Sequence, residues 1–385
     1  MNRRKAVKLL GLGLAGVAGL GLTIAFWKDK AKEKVKSTLG HLRPLFHLPA
    51  EGTQVSVEKS LNSRCTSDND GDSNKFHWGK FDRWKELANA QADQVVSLAR
   101  IPRFTEGLLD IQRKDNVLTF ISAKTKPGVP QSWAMVEIGM LQQAVCLVCA
   151  ALGVGMVFSN LGKDGKWVTD REYAAIDIKL GAMEPSYEGS YWSSSPPSEK
   201  NPWLIGSLPD PARDGVEPLI TTLAGVKRKN KGSARASRDS ISQLLWAGRG
   251  RTPHLYNSKP WGMTIPTWAG EQNISSLYLI SENKLFRYVN WNDNRPTHSL
   301  VQLNAIEPDQ FKEILESFSA PRALIVIGKN ELFARALWEV GYQLMNMLVQ
   351  ASSLDISHGA FLLNEREKEN LGKMGIGDPI AGLAI

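Results

Sequence analysis

Two long stretches of this chain repeat apolar residues at three- and four-residue spacing: Trp133–Phe158, with a Gly-Val-Gly stop at 153–155, and Glu331–Leu354. Each predicts a helix with a broad buried face. When Glu137-Ile-Gly139 is laid on Glu339-Val-Gly341, Leu152 meets Leu354 and the apolar faces stay in phase. Two further matches keep the same order. Lys179-Leu-Gly-Ala-Met-Glu-Pro185 parallels Lys373-Met-Gly-Ile-Gly-Asp-Pro379, and Ile101-Pro102 before Arg-Phe-Thr-Glu-Gly parallels Ile265-Pro266 before Thr-Trp-Ala-Gly-Glu. Three matches in one order predict a diverged internal duplication.

Strand signals lie between the helices. Ser276–Ser281 and Lys284–Trp291 are rich in β-branched and aromatic residues and are joined by Glu-Asn, and Ala323–Gly328 is a short buried run. Helices alternating with strands argue for an α+β or α/β domain. Ser67–Asn74 is a polar loop without the spaced ligands of a calcium site, and Tyr191–Pro202 is the best linker. The expected boundaries are 1–36, 37–202 and 203–385.

With 385 residues, 42% hydrophobic and 22% charged, the chain can bury a large core and is not a disordered protein. Its three cysteines, Cys65, Cys146 and Cys149, cannot make a disulfide framework or a structural zinc module. The net charge of +8 is concentrated: residues 1–40 and 227–251 each sum to +7, leaving the rest at −6. Two basic segments need an explanation, not a basic surface, and no nucleic-acid partner is expected.

The first basic segment has one. Arg3-Arg4 precede Leu9–Trp27, nineteen residues without a charge, long enough to span about 28 Å as a helix. Paired arginines ahead of an apolar run are a bacterial twin-arginine address. No small-x-small cleavage site ends the run. The expectation is export by the twin-arginine machinery and retention as an inner-membrane tether facing the periplasm. Gly11-Leu-Gly-Leu-Ala-Gly16 fits a dinucleotide fingerprint, but no strand precedes it, and small residues of a membrane helix explain it better.

The second basic segment sets Ser233, Arg235 and Arg238 just before a helix starting near Ser240, with Leu244–Ala247 on its apolar face. Guanidinium and hydroxyl groups beside helix-terminal N–H groups suit a phosphate or a developing flavin anion. A solvated basic loop reads the same way. The loop Ile265–Asn273 offers Gly270 for close backbone approach and Asn273 as both donor and acceptor. Cys146 and Cys149 lie mid-helix among apolar neighbours and read as core. The six histidines show no ligand spacing, His358 falling in the turn that ends the second long helix, and no metal site is expected.

The ordered set of features resembles the nitroreductase superfamily, especially its SagB-type dehydrogenase branch. The features are Ser233-x-Arg235, Leu244-Leu-Trp-Ala247, Pro266-Thr-Trp-Ala-Gly270, Leu277-Tyr-Leu, Lys284-Leu-Phe-Arg-Tyr288, His298-Ser-Leu300 and Glu339-x-Gly341. The resemblance covers residues 215–385 well and 53–190 faintly. It implies a tandem nitroreductase-like α+β fold, three-layer α/β/α with intertwined halves, preceded by a membrane helix. It also implies FMN as cofactor, with hydride transfer through flavin N5 and the protein supplying orientation and electrostatics. By resemblance Ser233, Arg235 and Arg238 would hold the phosphate or pyrimidine edge, and Trp268, Ala269, Gly270 and Asn273 would line the ring. The turn at Ser159-Asn160 of the opposite copy would offer N–H groups towards N5.

The chain departs from the family pattern. Arg-Arg-Ser-x-Arg becomes Lys231-Gly-Ser-Ala-Arg235, Trp268 is an added residue, and the first copy offers only Ser63-Arg-Cys-Thr66. One flavin site, or none, is expected in place of two. A rival follows: a non-catalytic pseudo-dimer that sequesters FMN or serves as a binding surface. For the enzyme, the partners are a small-molecule substrate and an electron donor or acceptor that the sequence does not name. A pseudo-dimer in one chain needs no second copy.

Overall fold

The computed structural model describes residues 54–63, 75–76, 79–82, 87–123, 125–159, 172–174, 177–184, 208–252, 262–266, 274–292, 295–330 and 334–385. The expected signal and membrane helix, the Ser67–Asn74 loop and the Tyr191–Pro202 linker lie outside these residues.

The first half begins with α1 (Val57–Ser63), the short strands β1 (Lys75–Phe76) and β2 (Gly79–Asp82), and α2 (Asn89–Leu98). The hairpin β3 (Leu109–Lys114) and β4 (Val117–Ala123) follows, then α3 (Gln131–Leu152), β5 (Gly155–Ser159), β6 (Glu172–Ala174) and β7 (Asp177–Glu184). The second half opens with α4 (Leu219–Gly225), β8 (Lys229–Asn230), α5 (Arg238–Arg249), β9 (Arg251–Thr252) and β10 (Gly262–Met263). Next come β11 (Ser275–Ser281), β12 (Lys284–Asn292), β13 (Arg295–Ala305) and α6 (Pro308–Ser317). It closes with β14 (Leu324–Lys329), α7 (Ala334–Ser353), β15 (His358–Leu362), α8 (Glu365–Lys373) and β16 (Pro379–Ala384).

Local chemistry sets the ends of these elements. Gly153 adopts φ 65° and returns its N–H to the Cys149 carbonyl, a left-handed cap that a side chain would disfavour. The helix expected through Phe158 therefore stops at Leu152, and Met156 and Phe158 enter β5 beside β7. A few apolar residues beyond a glycine stop have no period that separates helix from strand. Two-residue turns close both hairpins: Asp115-Asn116 with Asp115 at φ 53°, and Glu282-Asn283 at 54° and 57°. Asn and Asp tolerate this region best.

α3 and α7 pack against each other at glycines. A Cβ on Gly139 would stand 2.3 Å from the Trp338 carbonyl oxygen, and one on Gly341 would stand 2.2 Å from that of Val136. The contact is reciprocal: superposing Gly139 on Gly341 carries Val136 onto Trp338. At the start of each half, Val57 donates its N–H to Glu217 O (3.0 Å) and Leu219 donates to Val55 O (2.9 Å). α1 and α4, seven residues each, thus spring from one antiparallel bridge.

Among the described residues each half owns a seven-stranded sheet. The runs β3-β4-β7-β5 and β11-β14-β16-β15 share one order, antiparallel throughout, with the long helix leaving the second strand. The second half inserts β12, β13 and α6 between the first and second of these strands. One apolar core joins Phe120, Leu147 and Met156 to Trp246, Leu277 and Trp338 across the halves. Alternate residues of β14, Leu324 and Val326, enter a second core under α6 and α8. α3 is long and apolar enough to cross a bilayer, yet it is enclosed in the protein.

Candidate functional site

The basic segment is stapled to the end of α7. β8 pairs with β15, Lys229 facing Gly359 and Asn230 facing His358. A Cβ on Gly232 would lie 2.1 Å from Asp355 O, Ala234 donates its N–H to that oxygen at 3.0 Å, and Arg322 donates to Ala236 O. Ser237 and Ser240 form a closed capping box at the start of α5. With the backbone so fixed, Arg228, Lys229, Lys231, Ser233, Arg235 and Arg238 are exposed. Ser233 is already engaged: its N–H (3.2 Å) and hydroxyl both donate to the Asp355 carboxylate. These hydrogen bonds hold the Asp355 carboxyl below the usual range.

The segment meets the first half. The Arg228 guanidinium lies 5.3 Å from the centroid of the Phe104 ring, within cation–π range. Phe104 belongs to the irregular stretch Ile101–Gly107 that leads into β3. Nearby, the Trp133 indole N–H at the start of α3 donates to Leu363 O at 3.3 Å. Glu137, fully buried, holds the stretch from below. Its carboxylate accepts the N–H of Phe104, the N–H of Thr105 (2.8 Å) and the Thr105 hydroxyl, and pairs with Arg103 at 3.2 Å.

The second loop named from the sequence leaves by another route. Thr264, before it, accepts hydrogen bonds on its carbonyl from Gln143 and Asn346, both at 3.1 Å. Ser275, after it, donates its hydroxyl to Glu339 at 2.9 Å. Glu339 also pairs with Arg249 at 3.1 Å, both groups fully enclosed, and Gln343 donates to Ser275. Ser275 thus sits at the first turns of α7 and Ser233 just past its last, about 20 Å apart along the helix. Trp268, Ala269, Gly270, Asn273 and Asn160 lie outside the described residues, while Ser159 ends β5 with its backbone opposite Asp177.

A different constellation lies beside α5. Ser242 Oγ is 2.6 Å from both Pro209 O and His298 Nε2, and His298 Nδ1 is 2.8 Å from the Tyr288 hydroxyl. Ser242 has one proton, given to the carbonyl, so His298 donates from Nε2 and accepts from Tyr288 at Nδ1. Burial, aided by the Arg213 charge, pushes the His298 pKa down to about 3, and burial pushes the Tyr288 phenol up. A serine that donates to the backbone, beside a neutral histidine oriented by a phenol, is a structural relay and not a nucleophile with its base. His358, expected in a turn, opens β15 with its ring nitrogens 2.8 Å from Ile356 O and 3.3 Å from Lys227 O. Backbone carbonyls thus flank both ring nitrogens. Among the described residues no cluster of three metal-ligating groups occurs.

Sequence reasoning missed Arg228, Phe104 and the role of Glu137. The available signal is a glutamate within each of the two long apolar helices, since a buried carboxylate needs donors from somewhere.

No family model matches the chain, and no curated protein matches it. Among solved structures, an Anabaena variabilis protein assigned as a nitroreductase superposes with a TM-score of 0.50 at 11% identity, over 86% of this chain and 98% of that one. A Thermotoga maritima protein of the same assignment covers 86% of this chain and 94% of its own, at 8% identity and a TM-score of 0.38. One from Ralstonia eutropha covers 50% and 94% at 22% identity and a TM-score of 0.35. At 86% coverage the Anabaena match runs through both halves. The chain has a nitroreductase-like α+β fold.

Proposed function

We propose that the chain is an FMN-dependent oxidoreductase, a fused pseudo-dimer of two nitroreductase-like halves, exported through the twin-arginine route and tethered to the inner membrane by residues 9–27. The observation that carries the cofactor reading is Arg228 of the second half over Phe104 of the first: a basic strand end and an aromatic loop meet across the halves. The shared strand order and the reciprocal glycine contact support the fused pseudo-dimer. The Arg3-Arg4 motif and uncharged run support export.

The residues present fit the group by charge. Arg228, Arg235 and Arg238 are exposed residues of the basic segment, Arg238 opening α5, and would hold a phosphate. The Phe104 stretch would face the ring. Ser233 has its hydroxyl committed to Asp355, so the arginines would do the phosphate binding. Bound FMN supplies hydride transfer through its N5. The protein's part is to fix both ends of the cofactor from two halves that share one core, so that neither end drifts when the substrate enters. The substrate and the electron donor or acceptor belong to small molecules able to stack on a flavin; nicotinamide cofactors are scarce outside the cytoplasm.

The test is an absorbance spectrum of the protein from a host with an intact twin-arginine system, followed by heat release of the chromophore. Two flavin bands with about one FMN per chain are expected. A folded, colourless protein that takes up no FMN on reconstitution overturns the reading.

One observation favours a second reading, a non-catalytic FMN-sequestering or binding pseudo-dimer. The Ser233 hydroxyl faces a carboxylate, an arrangement that opposes a phosphate at that point. Bound flavin that no donor reduces supports it, and turnover with an acceptor rules it out.

A further inference from the structure

We propose that Glu137 is a positioning residue for the cofactor cradle: its carboxylate fixes Ile101–Gly107, and with it the Phe104 ring, against the basic segment of the other half. The inference rests on the FMN reading. It names a residue that reads as helix core in the sequence and touches no ligand itself.

Glu137 is fully buried within α3, flanked by Val136 and Ile138, both also fully buried. A carboxylate there is costly unless its lone pairs are used. All four of its donors come from three consecutive loop residues, Arg103, Phe104 and Thr105. Two are backbone N–H groups, so the carboxylate sets the path of the chain itself. The aligned Glu339 is used differently: its donors are the Arg249 guanidinium and the Ser275 hydroxyl, at the end of a helix and the first residue of a strand. The first-half glutamate therefore holds a loop, the second a junction of regular elements.

The loop's other anchors are side-chain packing and its own edges. Ile101 and Phe104 lie against the core, Arg103 donates to Gly107 O at 3.2 Å and Lys126 pairs with Glu106, whereas the Phe104 and Thr105 N–H groups are held by Glu137. The loop lies outside helix and strand, and Arg103, Glu106 and Gly107 are exposed. Without the carboxylate two neighbouring N–H groups lose their acceptor, and the backbone that carries Phe104 past Arg228 loosens. Holding that ring in place before FMN arrives removes an ordering cost from binding.

The experiment uses the full-length chain in detergent and FMN as the probe, comparing wild type with Glu137→Gln and Thr105→Val. Glu137→Gln keeps the shape but turns an –NH2 towards the Thr105 hydroxyl and Arg103, and Thr105→Val removes one donor and leaves the carboxylate. The expected result for Glu137→Gln is an FMN dissociation constant raised about 10- to 100-fold. An altered visible circular dichroism of the bound flavin and faster amide exchange at Phe104 and Thr105 accompany it, with far-ultraviolet dichroism unchanged. Thr105→Val shifts the same readouts less. Wild-type FMN affinity and flavin dichroism in a variant whose loop amides exchange faster overturn the proposal, because the clamp would then serve stability alone. If Glu137→Gln does not fold, Thr105→Val decides by the same criterion. A wild-type protein that takes up no FMN defeats the cofactor reading, and this role with it, before any variant is compared.

Discussion

Gly139 of α3 presses on the backbone of Trp338 in α7, so closely that a Cβ would fall 2.3 Å from the Trp338 carbonyl oxygen; Gly341 returns the contact on Val136 at 2.2 Å. Both distances are far inside van der Waals contact, and the opposing atoms are backbone, which cannot rotate away. Gly139→Ala therefore separates the helices and is expected to cost about 3 kcal/mol. Gly139→Ala with Gly341→Ala costs less than the sum, because one separation accommodates both methyl groups. Urea unfolding of the three variants checks this, and strict additivity would contradict a shared contact.

Arg249 and Glu339 are 3.1 Å apart with side chains 4% and 0% exposed. Arg249→Met strands a buried carboxylate and is expected to destabilise by about 3–5 kcal/mol. Arg103 pairs with Glu137 from a side chain that is 36% exposed, and Glu137 keeps three other donors. Arg103→Met should cost no more than about 1 kcal/mol. Equal losses at the two sites would refute this difference between the halves.

His298 titrates near 3 in the folded protein because burial disfavours its charge, whereas an unfolded histidine titrates near 6.5. Between these values the unfolded chain binds a proton that the folded chain does not. Stability is therefore full above about pH 6.5 and falls as pH is lowered towards 3. His298→Gln, which has no such proton to take up, should flatten the dependence between pH 4 and 7. Urea midpoints across that range measure it, and parallel curves for variant and wild type would place the titrating group elsewhere.

Cys146 and Cys149 are buried and unbridged, and burial raises the Cys149 thiol well above its ordinary value. Neither should react with iodoacetamide at pH 8 in the native protein, and both should react in urea. Peptide mapping of the alkylated chain reports each cysteine separately, and native labelling of either would contradict core placement.

What could be read in the sequence was what neighbouring residues decide. Glu282-Asn283 announced its hairpin and Gly153 its helix stop. The helix–strand boundary before Phe158 was not legible, because Met156 and Phe158 become strand by pairing with Leu180 and Ile178 of β7, twenty or more positions away. The site divides in the same way. Ser233 and Arg235 are visible as a basic stretch ahead of a helix, whereas Arg238, expected just before a start near Ser240, is the first residue of α5 because Ser237 caps it. Ser233's commitment to Asp355 spans 122 positions, and Glu137 reaches its loop across 32 and 33. No local pattern encodes such pairings.

The seam between α3 and α7 also governs how the chain comes to be folded. Tyr342 gives its hydroxyl proton to Gln142 across 200 positions, and Gln143 reaches Asn346 across 203. At about 5–20 residues per second, α7 leaves the ribosome roughly 10–40 s after α3. During that interval an apolar helix long enough for a bilayer waits without its partner. Until the second half arrives to cover it, the apolar face of α3 is open to aggregation or to being mistaken for a membrane span.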